Sequence, residues 1–163
     1  DLVEGVVIGA AALIVMDIIN RRTKDVDSLD PNIPDEIKAA SVEFSEANPK
    51  LKLQANWLNN GPSSLKRDLE SDWRAQLVEI YTGPALKLYT LGRRDLIRTK
   101  LYAFCDRQVD LDDCVALKPT QEELRSSYPW VSARDANVDW PEHVRTSILS
   151  LARNNLGYED FKL

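Results

Sequence analysis

The sequence predicts a mainly α protein. One short apolar N-terminal helix, transmembrane or buried in the core or in a partner, should precede a small acidic helical soluble domain, with room for a minor strand pair. Three observations carry this expectation. Residues 5–16 read GVVIGAAALIVM, with no polar group among them. Apolar residues in the body recur every three or four positions, the period of an amphipathic helix. No segment shows four or more cleanly alternating positions enriched in β-branched residues, the mark of a half-buried strand.

The totals agree with a folded body. The 163 residues carry a net charge of −5, with 29% charged and 44% apolar residues. That composition is well above the apolar content of disordered chains. An acidic balance argues against a dedicated nucleic-acid binder, which normally shows a basic face. Cys105 and Cys114 are too few for a disulfide framework and read as reduced thiols, although their spacing allows a bridge. One histidine, His143, with no ligand spacing around it, gives no zinc or haem site, and no cofactor is expected.

Taken in order, the N-terminal run is apolar on every face, as a span or a fully buried helix would be. Leu2, Val3, Ile18 and Ile19 extend it, and Glu4 and Asp17 interrupt it near the ends. A span needs ~20 apolar residues, so its length is marginal. Arg21, Arg22 and Lys24 follow at once, which would place the body on the cytoplasmic, matrix or stromal side. A secretory signal has its charges before the apolar core, the reverse of this order. Gly5 and Gly9 form a GxxxG continued by Ala12, a candidate helix-packing face. The expected division is an anchor over 1–20, a polar linker over 21–34 and a helical domain over 35–163.

Residues 23–34, TKDVDSLDPNIP, are polar and broken by Pro31 and Pro34, hence the linker. A helix starts at Pro34 or Asp35, with Ile37, Ala40, Phe44 and Ala47 on one face, and Pro49 stops it. Residues 50–58 are ambiguous between a short strand and a helical turn, and Asn59, Asn60, Gly61 and Pro62 make a turn. The strongest helical stripe is Leu65, Leu69, Trp73, Leu77 and Ile80 or Tyr81, ended by Gly83 and Pro84. Residues 84–91 are short and mixed. A helix over about 94–108 turns Ile97, Leu101, Phe104 and Cys105 inward. Thr120 and Glu123 form a capping box for a short helix. Residues 128–138, with Pro129, read as loop. Pro141 opens the last helix, striped by Val144, Ile148, Leu151 and Ala152 and ended by Gly157.

No GxSxG, HExxH, GxGxxG or Walker A string occurs, so no catalytic residue is assigned. His143 reads as a polar residue in a helix's first turn. Asp106, Asp110, Asp112 and Asp113 lack the glycine and distal glutamate of an EF-hand, and read as a solvated loop. Residues 84–104 carry five basic side chains against Asp95 alone, and residues 105–123 are correspondingly acidic. Arg93, Arg94, Arg98 and Lys100 are therefore a candidate patch for phosphate, lipid headgroups or an acidic partner. The alternative is internal pairing with the acidic stretch. Trp130 and Trp140, beside prolines, are candidate partner anchors or loop-packing residues.

These features favour a non-catalytic, single-pass membrane-anchored accessory or assembly subunit of a larger complex, respiratory or photosynthetic before virion or secretion. Its partners would be other subunits of that complex, with lipid headgroups a further contact and nucleic acid none. A soluble helical adaptor with an inserted N-terminus, or an enzyme without a recognisable motif, are the alternatives.

Overall fold

The computed structural model describes residues 2–163 and divides into two compact units, Asp1–Gly92 and Arg93–Leu163. The first is an α/β unit. Its strands are β1 (Val3–Ile8), β2 (Val26–Asp30), β3 (Leu58–Asn59), β4 (Val78–Thr82) and β5 (Leu86–Thr90), side by side in the order β3-β2-β1-β5-β4. β1 pairs antiparallel with β2 and parallel with β5, while β2–β3 is parallel and β4–β5 antiparallel.

Val6, Val7 and Ile8 are consecutive in β1, and all three are buried. Neighbouring side chains of a strand point to opposite faces, so the middle strand is covered on both sides. Gly9 then turns the chain at φ +74° into α1 (Gly9–Val15). A left-handed backbone costs glycine nothing, which is why the turn falls there. Ala11 and Ala12 of α1 pack with Val7 against Val26, Ile80 and Leu88, so α1 lies on one face of the sheet. The helix closes in a Schellman motif. Asp17 takes φ 60°, its N–H bonds the Ile14 carbonyl at 3.0 Å, and the Ile18 N–H reaches back to Leu13 at 2.9 Å.

This overturns the mainly α reading with a single N-terminal helix. A strand and a seven-residue helix occupy the segment read as one apolar helix. Among the described residues, no helix is long and apolar enough to cross a membrane, which removes the transmembrane, membrane and single-pass assignments. The physical reason is double burial. A strand covered on both faces has no polar alternation, and on composition it is indistinguishable from a buried helix.

Two further expectations change. The stretch read as linker contains β2, and the mixed stretch before Leu91 contains β5. The helix expected over 65–81 is replaced by 3-10 turns at Gly61–Arg67 and Trp73–Gln76, followed by β4. Leu69 and Trp73 are still buried, so the periodic positions report core contacts rather than helix. Asp68 precedes them, and Glu70, Ser71 and Asp72 lie between them. Asp and Ser compete with the backbone for its hydrogen bonds and weaken a continuous helix. The expected helix after Pro34 does form, as α2 (Asp35–Ala47), and Trp57 donates its Nε1–H to the Ser41 carbonyl at 2.8 Å.

The second unit is helical: α3 (Arg93–Arg107), α4 (Leu111–Leu117), α5 (Gln121–Ser132) and α6 (Trp140–Ser150), continued by a π-helical turn at Leu151–Asn155. Leu101, Leu124, Val131, Val144, Ile148 and Leu151 are fully buried in it. The Thr120–Glu123 capping box is present, with the Glu123 N–H bonding Thr120 Oγ1 at 3.2 Å and the Thr120 N–H bonding Glu123 Oε2 at 2.8 Å. The loop expected from Tyr128 onward begins later, because α5 runs through Pro129 to Ser132. A proline removes one intrahelical donor, and here the helix ends within a turn of it.

Leu13 has no exposed surface, although it lies in a helix of only seven residues. Leu13→Ala should lower the unfolding free energy by about 2–5 kcal/mol, the cost of a core cavity, as read by urea denaturation.

Candidate functional site

The β1–β2 register sets Asp27 opposite Ile8, beside the point where Gly9 turns into α1. Asp25 lies two residues earlier, just before β2 begins at Val26. Each has a donor that orients it. Thr23 Oγ1 donates to Asp25 Oδ1 at 3.0 Å. Asn59 pairs with Asp27 in the β2–β3 ladder, and its Nδ2 donates to Asp27 Oδ1 at 3.1 Å. The Gly61 N–H in turn donates to Asn59 Oδ1 at 2.6 Å, which fixes the amide. Gly9 completes the site by what it lacks: a Cβ there would stand 3.0 Å from Asp27 Oδ2.

Asp25 is exposed and Asp27 half-buried, so water and ligands can reach them. Oriented carboxylate oxygens are the donors preferred by hard divalent cations. Among the described residues, no group of three or more His, Cys, Asp or Glu side chains is placed to hold a metal. The site therefore offers two carboxylates that solvent reaches. That fits magnesium, which keeps waters and takes one or two carboxylates together with substrate phosphates.

Sequence reasoning passed over this pair because Asp25 and Asp27 looked like ordinary acidic residues of a polar linker. The legible signal was the D-x-D spacing after an apolar run broken by glycine. The residues it did single out are distributed as follows. Gly5 lies within β1, where a Cβ would make an ordinary 3.7 Å contact with Leu88. Gly9 is the turn of the site, and Ala12 is a buried residue of α1 packed against the sheet.

In the second unit, Arg93 Nε donates to Glu123 at 2.6 Å and holds the Glu123 carboxyl below its usual range. Arg94 bonds Asp95 at 3.1 Å, and Arg98 lies 3.9 Å from the same carboxylate. Lys100 is buried, 2.7 Å from the buried Asp113 and 3.4 Å from Asp110, which also meets Arg107 at 3.4 Å. Asp110 and Asp113 thus belong to an internal ion network rather than a solvated loop.

Trp130 and Trp140 are buried, and Trp140 Nε1 donates to the Val131 carbonyl at 2.9 Å. His143 Nε2 lies 2.7 Å from the Cys105 carbonyl oxygen. Both cysteines are free and buried. Burial pushes the Cys105 thiol up to about 12 and raises Cys114 as well, so neither supplies a thiolate nucleophile near neutral pH.

Two outcomes follow. Gly9→Ala should lower stability by ~1–2 kcal/mol, from the left-handed backbone and the crowded Asp27 oxygen, whereas Gly5→Ala should change it by much less. Equal effects in thermal melts would contradict the turn assignment. Lys100→Met should cost about 3–5 kcal/mol by stranding Asp113, and adding Asp113→Leu should recover most of it. Denaturant titrations of the two variants measure this.

Comparison with known proteins finds one family. Residues 1–118 match the model described as nucleotidyltransferase of unknown function (DUF6036). The match spans the whole sheet unit and continues through α3 and α4, so it includes Asp25, Asp27, Lys100 and Asp113. No curated protein and no solved structure matches. A nucleotidyltransferase family and the lack of a membrane-crossing helix among the described residues overturn the expectation of a non-catalytic, membrane-anchored accessory subunit. With more than half of its length matched, the chain belongs to the DUF6036 nucleotidyltransferase family.

Proposed function

We propose that the chain transfers a nucleoside monophosphate from a nucleoside triphosphate to a hydroxyl acceptor, with Asp25 and Asp27 holding the divalent cation that accompanies the triphosphate. The observation that carries this reading is the pair of oriented carboxylates beside Gly9, in a chain of a nucleotidyltransferase family. In the transfer, the acceptor oxygen bonds to the α-phosphorus. The bond from that phosphorus to the α–β bridging oxygen breaks, pyrophosphate leaves, and the acceptor's proton passes to water.

A bound divalent cation would neutralise phosphate charge and polarise the phosphoryl oxygens. The remaining work is positional, and phosphoryl transfer is mostly positioning and electrostatics. Thr23 and Asn59 hold the two carboxylates by one hydrogen bond each. Gly9 lets the chain turn close beside Asp27, where a Cβ would stand 3.0 Å from Oδ2.

Manganese binding in the presence of a non-hydrolysable nucleoside triphosphate, followed by electron paramagnetic resonance, tests the reading. Asp25→Asn and Asp27→Asn should each weaken binding by at least the ~10–100-fold that loss of an outer-sphere partner costs. Asn59→Ala should fall within that range. Thermal melts of the three variants should stay close to the parent. A doubly substituted Asp25→Asn, Asp27→Asn protein that binds like the parent would remove the proposal.

A further inference from the structure

A cleft of about 300 Å³ opens on the first unit, lined mainly by Glu4, Val6, Asp30, Pro31, Leu77 and Tyr89. Strand register places it relative to the carboxylate pair. Val6 is paired with Asp30 on one side and Tyr89 on the other, and Ile8 with Asp27. Val6 and Ile8 are two residues apart in β1, so they share a face, and residues paired across strands share it too. That face is the one opposite Val7, which packs with α1. The cleft and Asp27 therefore lie on the same side of the sheet, about 7 Å apart along β1 at two residues' rise.

Asp27 and Asp30 are three residues apart, and in a regular strand they would face opposite ways. The ladder slips between Val6 and Val7, leaving Leu29 as an extra residue in β2. Such a bulge re-aims the side chains that follow it. Here it brings both carboxylates to one face.

The lining has a definite chemistry. Val6, Pro31 and Leu77 are apolar, and Tyr89 adds a half-buried aromatic ring with Lys87 Nζ 5.3 Å from its centroid. None of the lining residues is basic, and two are carboxylates. Burial alone would push Asp30 up, but Lys66 at 2.8 Å and Arg74 at 2.9 Å outweigh it and keep the group below its usual range. Asp30 is thus an ion-paired carboxylate and Glu4 an exposed one at the rim. The lining is mixed in charge, with two cations held against one of its two carboxylates. It suits a flat ring that stacks on an aromatic side chain and offers N–H donors to carboxylates.

Resting on the nucleotidyl-transfer reading, we infer that this cleft seats the base of the donor nucleotide and favours bases with an exocyclic amine over uracil. Tyr89 provides the stacking surface, and Glu4 accepts the amine N–H.

Calorimetric titration with magnesium separates this inference from the reading beneath it. The probes are the α,β-methylene analogues of ATP, CTP, GTP and UTP, together with inorganic tripolyphosphate. The parent protein should bind each amine-bearing analogue at least ten-fold tighter than the UTP analogue. Glu4→Val should erase that preference. Tyr89→Leu should weaken all four analogues about ten-fold, the scale of one lost base–aromatic stack, and leave tripolyphosphate unchanged. If both variants bind all four analogues as the parent does, or if the parent shows no preference against uracil, the cleft assignment is overturned while the carboxylate site stands. If the parent binds neither tripolyphosphate nor any analogue, the nucleotidyl-transfer reading itself falls, and the cleft assignment with it.

Discussion

β1 has to be covered on two faces at once, and each cover shapes the carboxylate site. On one face, α1 seals Val7, and to lie there it must begin directly at the strand's end. Only a left-handed turn fits, so Gly9 occupies it and brings no side chain. On the other face, the register brings Asp27 level with Ile8 and Asp30 level with Val6. The requirement to bury three consecutive apolar residues thus produces both the tight turn and the carboxylate-bearing neighbour strand. Packing and chemistry meet in one glycine, whose missing Cβ leaves Asp27 Oδ2 uncrowded.

The second unit places its unusual groups differently. Lys100 and Asp113 are buried as an ion pair. Such pairs recover little more than their desolvation cost, so stability alone is a weak reason to keep one. The family match passes the boundary between the units at residue 92 and ends at residue 118, just after α4. What the family shares is thus the sheet unit together with the helices that carry this network. α5, α6 and the π-helical turn lie beyond it.

Legibility in the sequence followed the number of exposed faces. The α2 boundary at Pro34, the Thr120 capping box and the stripe of α6 could be read directly, because one face of each element stays in water and the period survives. β1 and α1 could not, since double burial erased the alternation of one and the short length of the other held too few turns to show a stripe. Segments 61–67 and 73–76 misled in the opposite direction. Leu65, Leu69 and Trp73 keep helical spacing although the chain between them is broken.

The site was hidden by the same effect. Asp25 and Asp27 read as linker acids because the strand they introduce is short and its partner was taken for a membrane helix. A D-x-D pair has chemical meaning only once its segment is known to be extended, since on a helix positions i and i+2 diverge. Assigning β1 as a strand would have forced a return strand after α1, and the first extended stretch available is VDSLD. Asp27 would then fall in that strand and Asp25 just before it, at the end where Gly9 breaks the apolar run. Asn59 would have stayed out of reach of this argument. Its bond to Asp27 spans 32 residues and depends on the parallel β2–β3 pairing, which nothing local in residues 51–60 announces.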